Sequence, residues 1–256
     1  YGELGANFLN PYNFDAIAYG PIPYTVGGER YVTGRAAYLK SKDLKWETAK
    51  TTDIGIELGF FNNDLTLSLD YFVKKNVDLL AQIDLNLSSG QIFEINSSRE
   101  KPYVNTASVK NTGWEFMMNY RKQLTKDFHI DATFNIATLK NKVLSLGENV
   151  QPITSGAMSS YFNDAPSITM PGEAIGSFYG YKIDGFDAEG NFIFADMDKN
   201  GVVNANDKVI LGSPIPDFTY GLNINMEYKD FDLTLFFQGV QGNDIFNQKK
   251  YTYYFD

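Results

Sequence analysis

The chain has 256 residues, of which 43% are hydrophobic and 15% aromatic, and it contains no cysteine. Disulfides, thiol nucleophiles and cysteine metal sites are therefore excluded. The net charge is −9, the pI is about 4.7 and the basic residues are dispersed, which argues against nucleic-acid binding. No run approaches the ~18–20 apolar residues of a transmembrane helix, and the mean hydropathy of −0.28 excludes a helical membrane bundle.

The first residues read as the end of a strand, so the sequence is expected to be a segment of a longer chain. Residues 1–6 form this strand stub, and residues 7–43 are predicted to be a polar loop punctuated by Gly and Pro. Helical periodicity appears nowhere at useful length, which favours an all-β protein.

A hairpin is predicted next, with strands at 44–61 and 65–83 around a turn at 62–64. Apolar residues occupy every second position of its two strands: Ile54, Ile56, Leu58 and Phe60, then Leu65, Leu67, Leu69, Tyr71 and Val73. Because successive side chains of a strand point to opposite faces, one face is apolar and the other polar. The polar face includes Glu57 and Asp70, which a dry core would not accommodate. The apolar face then packs on a protein core, or it faces lipid while the polar face lines a wet lumen.

Two further hairpins favour the second environment. Their strands are predicted at 104–122 and 128–145, and at 217–229 and 231–242. Aromatic residues of the apolar face flank all three short turns: Phe60; Tyr120 and Phe128; Tyr228 and Phe231. Each apolar band extends about six to nine residues beyond its turn, or ~20–30 Å at ~3.3 Å per residue. This combination predicts an antiparallel transmembrane β-barrel with short turns on one side and long loops on the other.

The predicted strands number about seven with the stub, whereas a closed barrel needs an even number of at least eight. Open sheet edges are not tolerated in lipid, so the remaining strands are expected from the same chain beyond this sequence. Among the connections, residues 146–216 are far too long for a plain loop. We therefore expect that segment to carry structure and function.

This long connection contains an acidic motif at 196–207, DMDKNGVVNAND. Oxygen donors fall at the spacing of a calcium loop, with Gly201 at the position of the sharp turn: Asp196, Asp198, Asn200, Val202 through its carbonyl, Asn204 and Asp207. The last position is Asp rather than the bidentate Glu of calcium sensors, and no amphipathic helices flank the loop. The motif predicts a structural Ca²⁺ site, and the alternative is an Asn/Asp/Gly-rich turn that needs no metal.

Aromatic side chains of the loops are the candidates for ligand binding: Phe93, Tyr161, Phe162, Phe178, Tyr179 and Tyr181. The alternative is that these rings pack the loops onto each other or onto a partner. Catalysis has little support, because His129 is the single histidine and no Gly-x-Ser-x-Gly motif occurs. His129 is expected to be a solvated lumen residue, and the chain is predicted not to be an enzyme.

Five stretches resemble the SusC/RagA-type TonB-dependent transporters and follow the order found in that family: LKWETAKTTDIG at 44–55, NTGWE at 111–115, GSFYGY at 176–181, GSPIPDFTYG at 212–221 and FFQGVQGND at 236–244. Together with the continuation FFNND at 60–64 and DYF at 70–72, they cover most of the chain. The resemblance implies a 22-stranded outer-membrane barrel, of which residues 1–256 are a mid-to-late segment without the plug or the last strands. It also implies that residues 146–216 form an extracellular loop.

The function implied by the resemblance is TonB-dependent import of a nutrient, with a SusD-like surface lipoprotein as a lid. TonB would act through an N-terminal part outside this sequence. A glycan or oligosaccharide is the common cargo of the family and an oligopeptide the second, and dimers of transporter–lipoprotein pairs are common. The competing interpretation is a secreted, calcium-stabilised β-sandwich for adhesion or glycan binding, which would not explain the aromatic residues at every short turn.

Overall fold

The computed structural model describes residues 2–4, 18–36, 44–82, 103–147, 150–156, 165–247 and 249. The strands given bounds there are β1 (Gly2–Leu4), β2 (Ala18–Val26), β3 (Glu29–Ala36), β4 (Glu47–Phe60), β5 (Leu65–Gln82), β6 (Tyr103–Thr125), β7 (Phe128–Thr138), β8 (Lys140–Ser145), β9 (Ile153–Ser155), β10 (Ser167–Thr169), β11 (Ser177–Tyr181), β12 (Ile183–Phe186), β13 (Phe192–Phe194), β14 (Lys208–Gly212), β15 (Phe218–Tyr228) and β16 (Phe231–Gln241). A 3₁₀ turn at Ala205–Asp207 precedes β14. Within the described residues, no helix has the length and apolarity needed to cross a bilayer.

The main sheet has the strand order β1-β4-β5-β6-β7-β15-β16, and β8 pairs with β6 as its eighth strand. Neighbouring strands β6, β7, β15 and β16 pair antiparallel. The predicted all-β, antiparallel fold is confirmed, and each predicted strand of this sheet is present with ends shifted by a few residues. The barrel is not closed within this chain.

Strand pairing aligns the apolar side chains into rows across the sheet. At the short-turn end, Tyr228 lies opposite Phe128 on one side and Phe231 on the other. Further rows follow towards the other end of the strands: Ile130, Met226 and Leu233; Ala132, Ile224 and Leu235; Phe134, Leu222 and Phe237. Several of these side chains are exposed, Phe231 at 78% and Phe237 at 55%. The predicted apolar face is therefore a continuous outer surface rather than a packed core.

Residues 7–43 differ from the predicted loop, because β2 and β3 form a hairpin there. Its turn is Gly27-Gly28, and both glycines have positive φ, +62° and +87°, a conformation that side chains disfavour. Pro21 and Pro23 argue against a regular strand because proline donates no ladder hydrogen bond. A register shift between Tyr19 and Ile22 contains Pro21, whereas Pro23 is paired with Val32.

The strand predicted at 128–145 is broken at Leu139 into β7 and β8. Beside the break, the Trp114 amide donates to the Thr138 hydroxyl at 2.9 Å, and the Leu139 amide donates to the Asp217 carbonyl at 3.1 Å. A Cβ at Gly113 would overlap the Thr138 carbonyl oxygen. The glycine therefore allows the two backbones to approach at the break, and β7 and β8 both pair with β6.

The long connection contains six strands among its described residues. Four of its strands form a separate sheet in the order β14-β11-β10-β9, and β12 pairs with β13 as a two-stranded hairpin. This connection is tied to the end of β8, because the Val143 amide donates to the Glu173 carbonyl at 2.8 Å and the Gly172 amide donates to the Val143 carbonyl at 2.9 Å. Val143 itself is fully buried.

A second tie holds the end of the connection to the end of β16. The Asp244 amide donates to the Ser213 carbonyl at 2.7 Å, and the Ser213 amide donates to the Asp244 carboxylate at 2.9 Å. A Cβ at Gly212 would overlap the Asp244 carboxylate, which is why this close approach needs a glycine. One tie therefore anchors the connection to β8, and the other anchors it to the residues that follow β16.

The chain divides into two compact units. One consists of Tyr1–Lys50, Lys75–Val109 and Leu144–Gln151, and the other contains all three short turns and the segment from Pro152 onwards. In the first unit Asn105 acts as a backbone substitute. Its side chain accepts from the Lys45 amide at 2.7 Å and donates to the carbonyls of Lys45 and Asp78 at 2.8 and 2.6 Å. These bonds satisfy main-chain groups of Lys45 and Asp78, and Asp78 itself has an unusual φ of +57°.

If the outer rows face lipid, an arginine at Ile224 should destabilise the inserted protein, while an arginine at its neighbour Asn225 should not. Ile224 lies midway between Tyr220 and Tyr228, at the centre of the band, where arginine on the lipid face costs about 2–4 kcal/mol. We expect Ile224→Arg to lower the free energy of unfolding, measured for the protein in lipid vesicles, by that amount. The measurement is denaturant unfolding of the full-length protein in vesicles.

Asn225→Arg is the matched control, because Asn225 points to the polar face and lies opposite Asp131 and Thr234. Equal losses for the two variants would show that the two faces do not meet different solvents.

Candidate functional site

The outer band has aromatic residues at both ends. Tyr228 lies in the row nearest the short turns, and Tyr220 lies eight residues earlier on β15, about 26 Å away at ~3.3 Å per residue. Near the end of the band marked by Tyr220, Trp114 packs on Tyr71 with ring centroids 4.7 Å apart, and both residues belong to the apolar face. The height matches the ~25 Å apolar band, flanked by aromatic girdles, of outer-membrane barrels.

The opposite face carries a network of polar side chains across the same strands. Arg121 donates through Nε and Nη2 to one carboxylate oxygen of Asp131 at 2.8 and 2.6 Å. Asn119 donates to Asp131 at 3.2 Å and to the Thr133 hydroxyl at 2.8 Å. Arg121 remains 64% exposed, so the network lies against water rather than in a core. This arrangement suits the lining of a hydrated lumen.

His129 belongs to the same polar face. It lies opposite Glu227 on β15 and Gln123 on β6, at the short-turn end of the strands. The register therefore agrees with the prediction of a lumen residue.

The acidic loop at 196–207 is organised by its carboxylates. Asp196 accepts from the Asn200 amide at 3.2 Å and from the Gly201 amide at 2.7 Å, closing the turn. Gly201 has φ +85°, as the sharp turn predicts, and Lys199 adopts φ +59° beside it. Asp198 accepts from the Asn200 amide at 3.1 Å. The spacing of the motif therefore produces a compact loop in which main-chain amides point at two acidic groups.

Asp207 is the centre of this loop and is fully buried. One carboxylate oxygen accepts from the amides of Met197 and Asp198 at 2.7 and 3.3 Å, and the other accepts from the Asn204 amide at 2.7 Å. The hydrogen bond from the Asn204 amide is the main cause that holds the pKa of Asp207 below its ordinary value, against the opposing effect of burial. The group is thus ionised at neutral pH.

Three of the six predicted ligands converge. Carboxylate oxygens of Asp196, Asp198 and Asp207 all lie within 4.8 Å of one another. Ca²⁺ binds oxygen at ~2.3–2.6 Å, so two ligands on opposite sides of the ion are about 5 Å apart, and this donor set fits the cation.

The oxygens of the other three predicted ligands also accept hydrogen bonds within the loop, as those of the three carboxylates do. Asn200 Oδ1 accepts from the Val202 amide at 2.8 Å, the Val202 carbonyl accepts from the Asn204 side chain at 3.1 Å, and Asn204 Oδ1 accepts from the Asn206 amide at 2.9 Å. Their participation in a metal site remains a prediction.

Of the aromatic candidates, Phe93, Tyr161 and Phe162 lie outside the described residues. Phe178 lies 6.4 Å from Phe246, centroid to centroid. Tyr181 lies 5.6 Å from Phe194, and the ammonium group of Lys208 lies 5.2 Å from the Tyr181 ring centre. Tyr179 is half-buried in β11. These contacts agree with a packing role, and ligand binding by these residues stays a prediction.

Sequence reasoning missed one aromatic group, the β12–β13 hairpin. Phe186 packs on Phe192 with centroids 5.3 Å apart, and Phe192 lies 6.3 Å from Phe194. The available signal was the Phe-Ile-Phe run at 192–194, but three residues are too short to show a period.

Comparison with known proteins shows which protein family this chain resembles. Residues 1–255 match the family model "TonB dependent receptor-like, beta-barrel". The chain is 35% identical to TonB-dependent receptor P3 of Formosa agariphila, with 96% of this chain aligned to 25% of that protein. It is 30% identical to TonB-dependent receptor SusC of Bacteroides thetaiotaomicron, over 91% of this chain and 24% of that protein. It thus spans about a quarter of the length of these relatives.

Solved structures show the same fold. The chain is similar to the RagAB peptide transporter, with a TM-score of 0.66 and 21% identity over 92% of this chain and 25% of that one. Against the RagAB peptide importer in its open-open state the TM-score is 0.72, again at 21% identity, over 92% of this chain and 24% of that one.

The turn of the β12–β13 hairpin should open on acidification. Hydrogen bonds from the Asn191 side chain and amide hold the pKa of Asp187 below its ordinary value of 3.8. A depressed carboxylate pKa contributes stability that is present above pH ~3.8 and is lost as the pH falls through the lower, folded-state pKa. We expect hydrogen-exchange protection factors of the Glu189 and Asn191 amides to fall between about pH 6 and about pH 3.

Asp187→Asn should remove this pH dependence, and Asp184→Asn in the same hairpin should retain it. Protection that is equal at both pH values in the unmodified protein would contradict the assignment.

Proposed function

Because the chain belongs to the family of TonB-dependent receptor-like β-barrels, we propose that it is a segment of an outer-membrane transporter that imports a nutrient with energy supplied through TonB. The observation that carries this proposal is the family match over residues 1–255, on a sheet with one apolar and one polar face. The same match favours the barrel over the secreted β-sandwich. It also agrees with the prediction that the chain is not an enzyme, since its relatives are receptors.

The polar face would line the transport path. Some of its side chains bond to each other across strands, as Arg121 and Asp131 do at 2.8 Å and as Asn225 and Thr234 do at 2.9 Å. A polar and charged wall offers hydrogen-bond partners, so a hydrated cargo can pass along it without the free-energy cost of burying polar groups against an apolar surface. The outer rows would hold the segment in lipid, with the long connection on the extracellular side.

The cargo that we propose is a glycan or oligosaccharide, because glycan uptake is the common task of the SusC/RagA-type family. An oligopeptide is the second candidate, and the fold similarity to a peptide transporter is the observation in its favour. At 21% identity that similarity supports the fold alone, so the glycan remains the first choice.

The partners that we propose are a SusD-like surface lipoprotein, which covers the extracellular opening, and TonB, which acts on a part of the protein outside this sequence. The names of the relatives support both: they are TonB-dependent receptors, and one is SusC. A dimer of transporter–lipoprotein pairs is the assembly common in the family.

We also propose that the loop at 196–207 binds Ca²⁺ as a structural ion. Asp196, Asp198 and Asp207 would bind it directly, and Asn200, Val202 and Asn204 would complete the shell after releasing the hydrogen bonds that they make within the loop. The ion would neutralise three neighbouring carboxylates and hold the extracellular connection in one conformation.

Uptake by cells tests the transport function. A strain that lacks the full-length gene should lose uptake of labelled oligosaccharides and regain it on complementation, and depletion of TonB should abolish uptake in the complemented strain. Restored uptake of labelled oligopeptides instead would keep the transport proposal and replace the cargo. Uptake that is unaffected by TonB would overturn the proposal.

Removal of Ca²⁺ by a chelator tests the proposed metal site at 196–207. We expect EGTA to raise hydrogen exchange of the amides at 196–207 in the detergent-purified full-length protein, without changing exchange in β15 and β16. Adding Ca²⁺ should restore protection, and Asp198→Asn should weaken this response. Exchange that is identical with and without chelator would leave the metal-free turn as the correct description.

A further inference from the structure

Phe236 places a phenyl ring on the polar face of the main sheet. It lies between Thr234 and Gln238 on that face of β16, whereas its chain neighbours Leu235 and Phe237 belong to the outer apolar rows. The Phe236 side chain is 64% exposed. Because this face is turned away from the apolar band, contact with lipid does not account for the ring.

The side chains around the ring are amides. Asn223 on β15 lies directly opposite Phe236, and Gln238 follows it on the same face of β16. Directly opposite residues have Cβ atoms about 5 Å apart, and residues two positions along a strand are ~7 Å apart. Gly221 pairs with both Gln238 and Asn135, and a Cβ at Gly221 would lie 3.1 Å from the amide oxygen and nitrogen of Asn135. The ring and the three amides therefore form one surface, which we call the lumen patch (Asn135, Asn223, Phe236 and Gln238).

The amides of the lumen patch have hydrogen-bonding capacity that the fold does not use. Closer to the short turns, the polar side chains bond to each other, as Arg121 does to Asp131 at 2.8 Å and Thr234 to Asn225 at 2.9 Å. Within the part of the chain that the structure describes, three side chains of the patch make no hydrogen bond: Asn135, Asn223 and Gln238. Each amide has an oxygen that accepts and an NH₂ group that donates twice.

Asn223 gives a second, independent indication of a ligand. Its Oδ1 atom is buried and has no hydrogen-bond partner among the described residues. A buried polar atom without a partner destabilises a protein, because it has lost its hydrogen bonds to water. Such atoms are rare in native structures and indicate a partner that the fold itself does not supply. A hydroxyl group of a bound molecule would supply the missing hydrogen bond.

The charges of the polar face lie outside the lumen patch, which contains only uncharged side chains. The next row towards the short turns contains the Arg121–Asp131 ion pair, and beyond it Glu227 lies directly opposite Asp232. Two carboxylates side by side on a lumen wall repel an anionic cargo and leave a neutral one unaffected. The wall therefore favours a ligand without carboxylate or sulfate groups.

We propose that the lumen patch is a subsite of the transport path that binds a neutral oligosaccharide. One sugar ring stacks its C–H face on Phe236, and its hydroxyl groups exchange hydrogen bonds with the amides of Asn135, Asn223 and Gln238. An aromatic surface with a few well-placed polar groups is the usual composition of a small-molecule site. This inference rests on the proposed function, which supplies the lumen and the glycan cargo.

Uptake kinetics of the full-length protein in cells test the subsite. Labelled maltohexaose, cellohexaose and mannohexaose are the neutral probes, and labelled hexagalacturonate is the acidic one. For the neutral probes that enter, Phe236→Ala should raise the half-saturation concentration about tenfold, because the stacking surface is lost. Phe236→Trp should restore uptake, since the indole ring can stack in the same place.

Phe237→Ala is the matched control. Phe237 is the next residue of β16 and is 55% exposed, but it points to the outer face. We expect this variant to keep the half-saturation concentration within about twofold of the unmodified protein. Equal amounts of heat-modifiable, folded barrel in the outer membrane confirm that each variant is assembled.

Tryptophan fluorescence reports contact with the ring directly. In the detergent-purified full-length protein, Phe236→Trp should add emission that acrylamide quenches and that a neutral hexasaccharide shifts and protects. Phe237→Trp should add emission that the same sugar leaves unchanged. Difference spectra against the unmodified protein isolate the added residue in each case.

The outcomes separate this inference from the function beneath it. If a neutral probe enters the cell but Phe236→Ala leaves its half-saturation concentration unchanged, the subsite is wrong and transport stands. Emission from the Phe236→Trp protein that acrylamide cannot quench before sugar is added would show that another segment of the full-length chain covers the ring, which overturns the subsite. A response to hexagalacturonate or to an oligopeptide alone would overturn the neutral sugar as its ligand. If no sugar probe enters with the unmodified protein, the glycan cargo fails first and the subsite fails with it.

Discussion

A strand that crosses a bilayer must give every backbone N–H and C=O group to a neighbouring strand, because hydrocarbon offers no other partner. The main sheet of this protein follows from that constraint. Pairing is continuous from β6 through β7 and β15 to β16, with no register shift between β7, β15 and β16. A regular register keeps each side chain on its face, so the apolar rows face outward and the Arg121–Asp131 network stays on the polar side.

Near the strand ends, hydrogen bonds from side chains replace some of the hydrogen bonds between backbones. The Asn105 side chain, for example, donates to the main-chain carbonyls of Lys45 and Asp78. The Thr138 hydroxyl likewise accepts from the Trp114 amide. Such substitutions would be costly in lipid but are compatible with water. They mark the levels at which the sheet changes from a regular ladder to the irregular connections.

The long connection is organised around a buried carboxylate rather than a large core. Asp207 accepts hydrogen bonds from three main-chain amides, and its carboxylate lies beside those of Asp196 and Asp198. The conformation of residues 196–207 therefore depends on one ionised group. The aromatic hairpin lies just before this loop along the chain. Among the described residues of this segment few side chains are buried, so the hydrogen bonds to Asp207 are a large part of what holds the loop.

Local patterns predicted the strands of the main sheet and their two faces, because alternation with period two is a property of neighbouring residues in one strand. The turn at 196–207 was predictable for a related reason. Its oxygens and Gly201 lie within one short stretch, so their spacing already describes the loop. The β2–β3 hairpin was missed because two prolines obscured it, and the compensating register shift depends on the pairing of both strands.

The amino-acid sequence by itself determined that this protein is an all-β sheet with one apolar and one polar face, since side-chain alternation acts within single strands. Tertiary structure alone decided the break at Leu139, where Gly113 on another strand admits the Thr138 carbonyl. It also decided the ring row from Tyr181 to Phe186, because these rings come from separate strands and meet only through strand pairing and the fold of the connection. Contacts between distant residues depend on register and on the path of the chain, which no local pattern specifies.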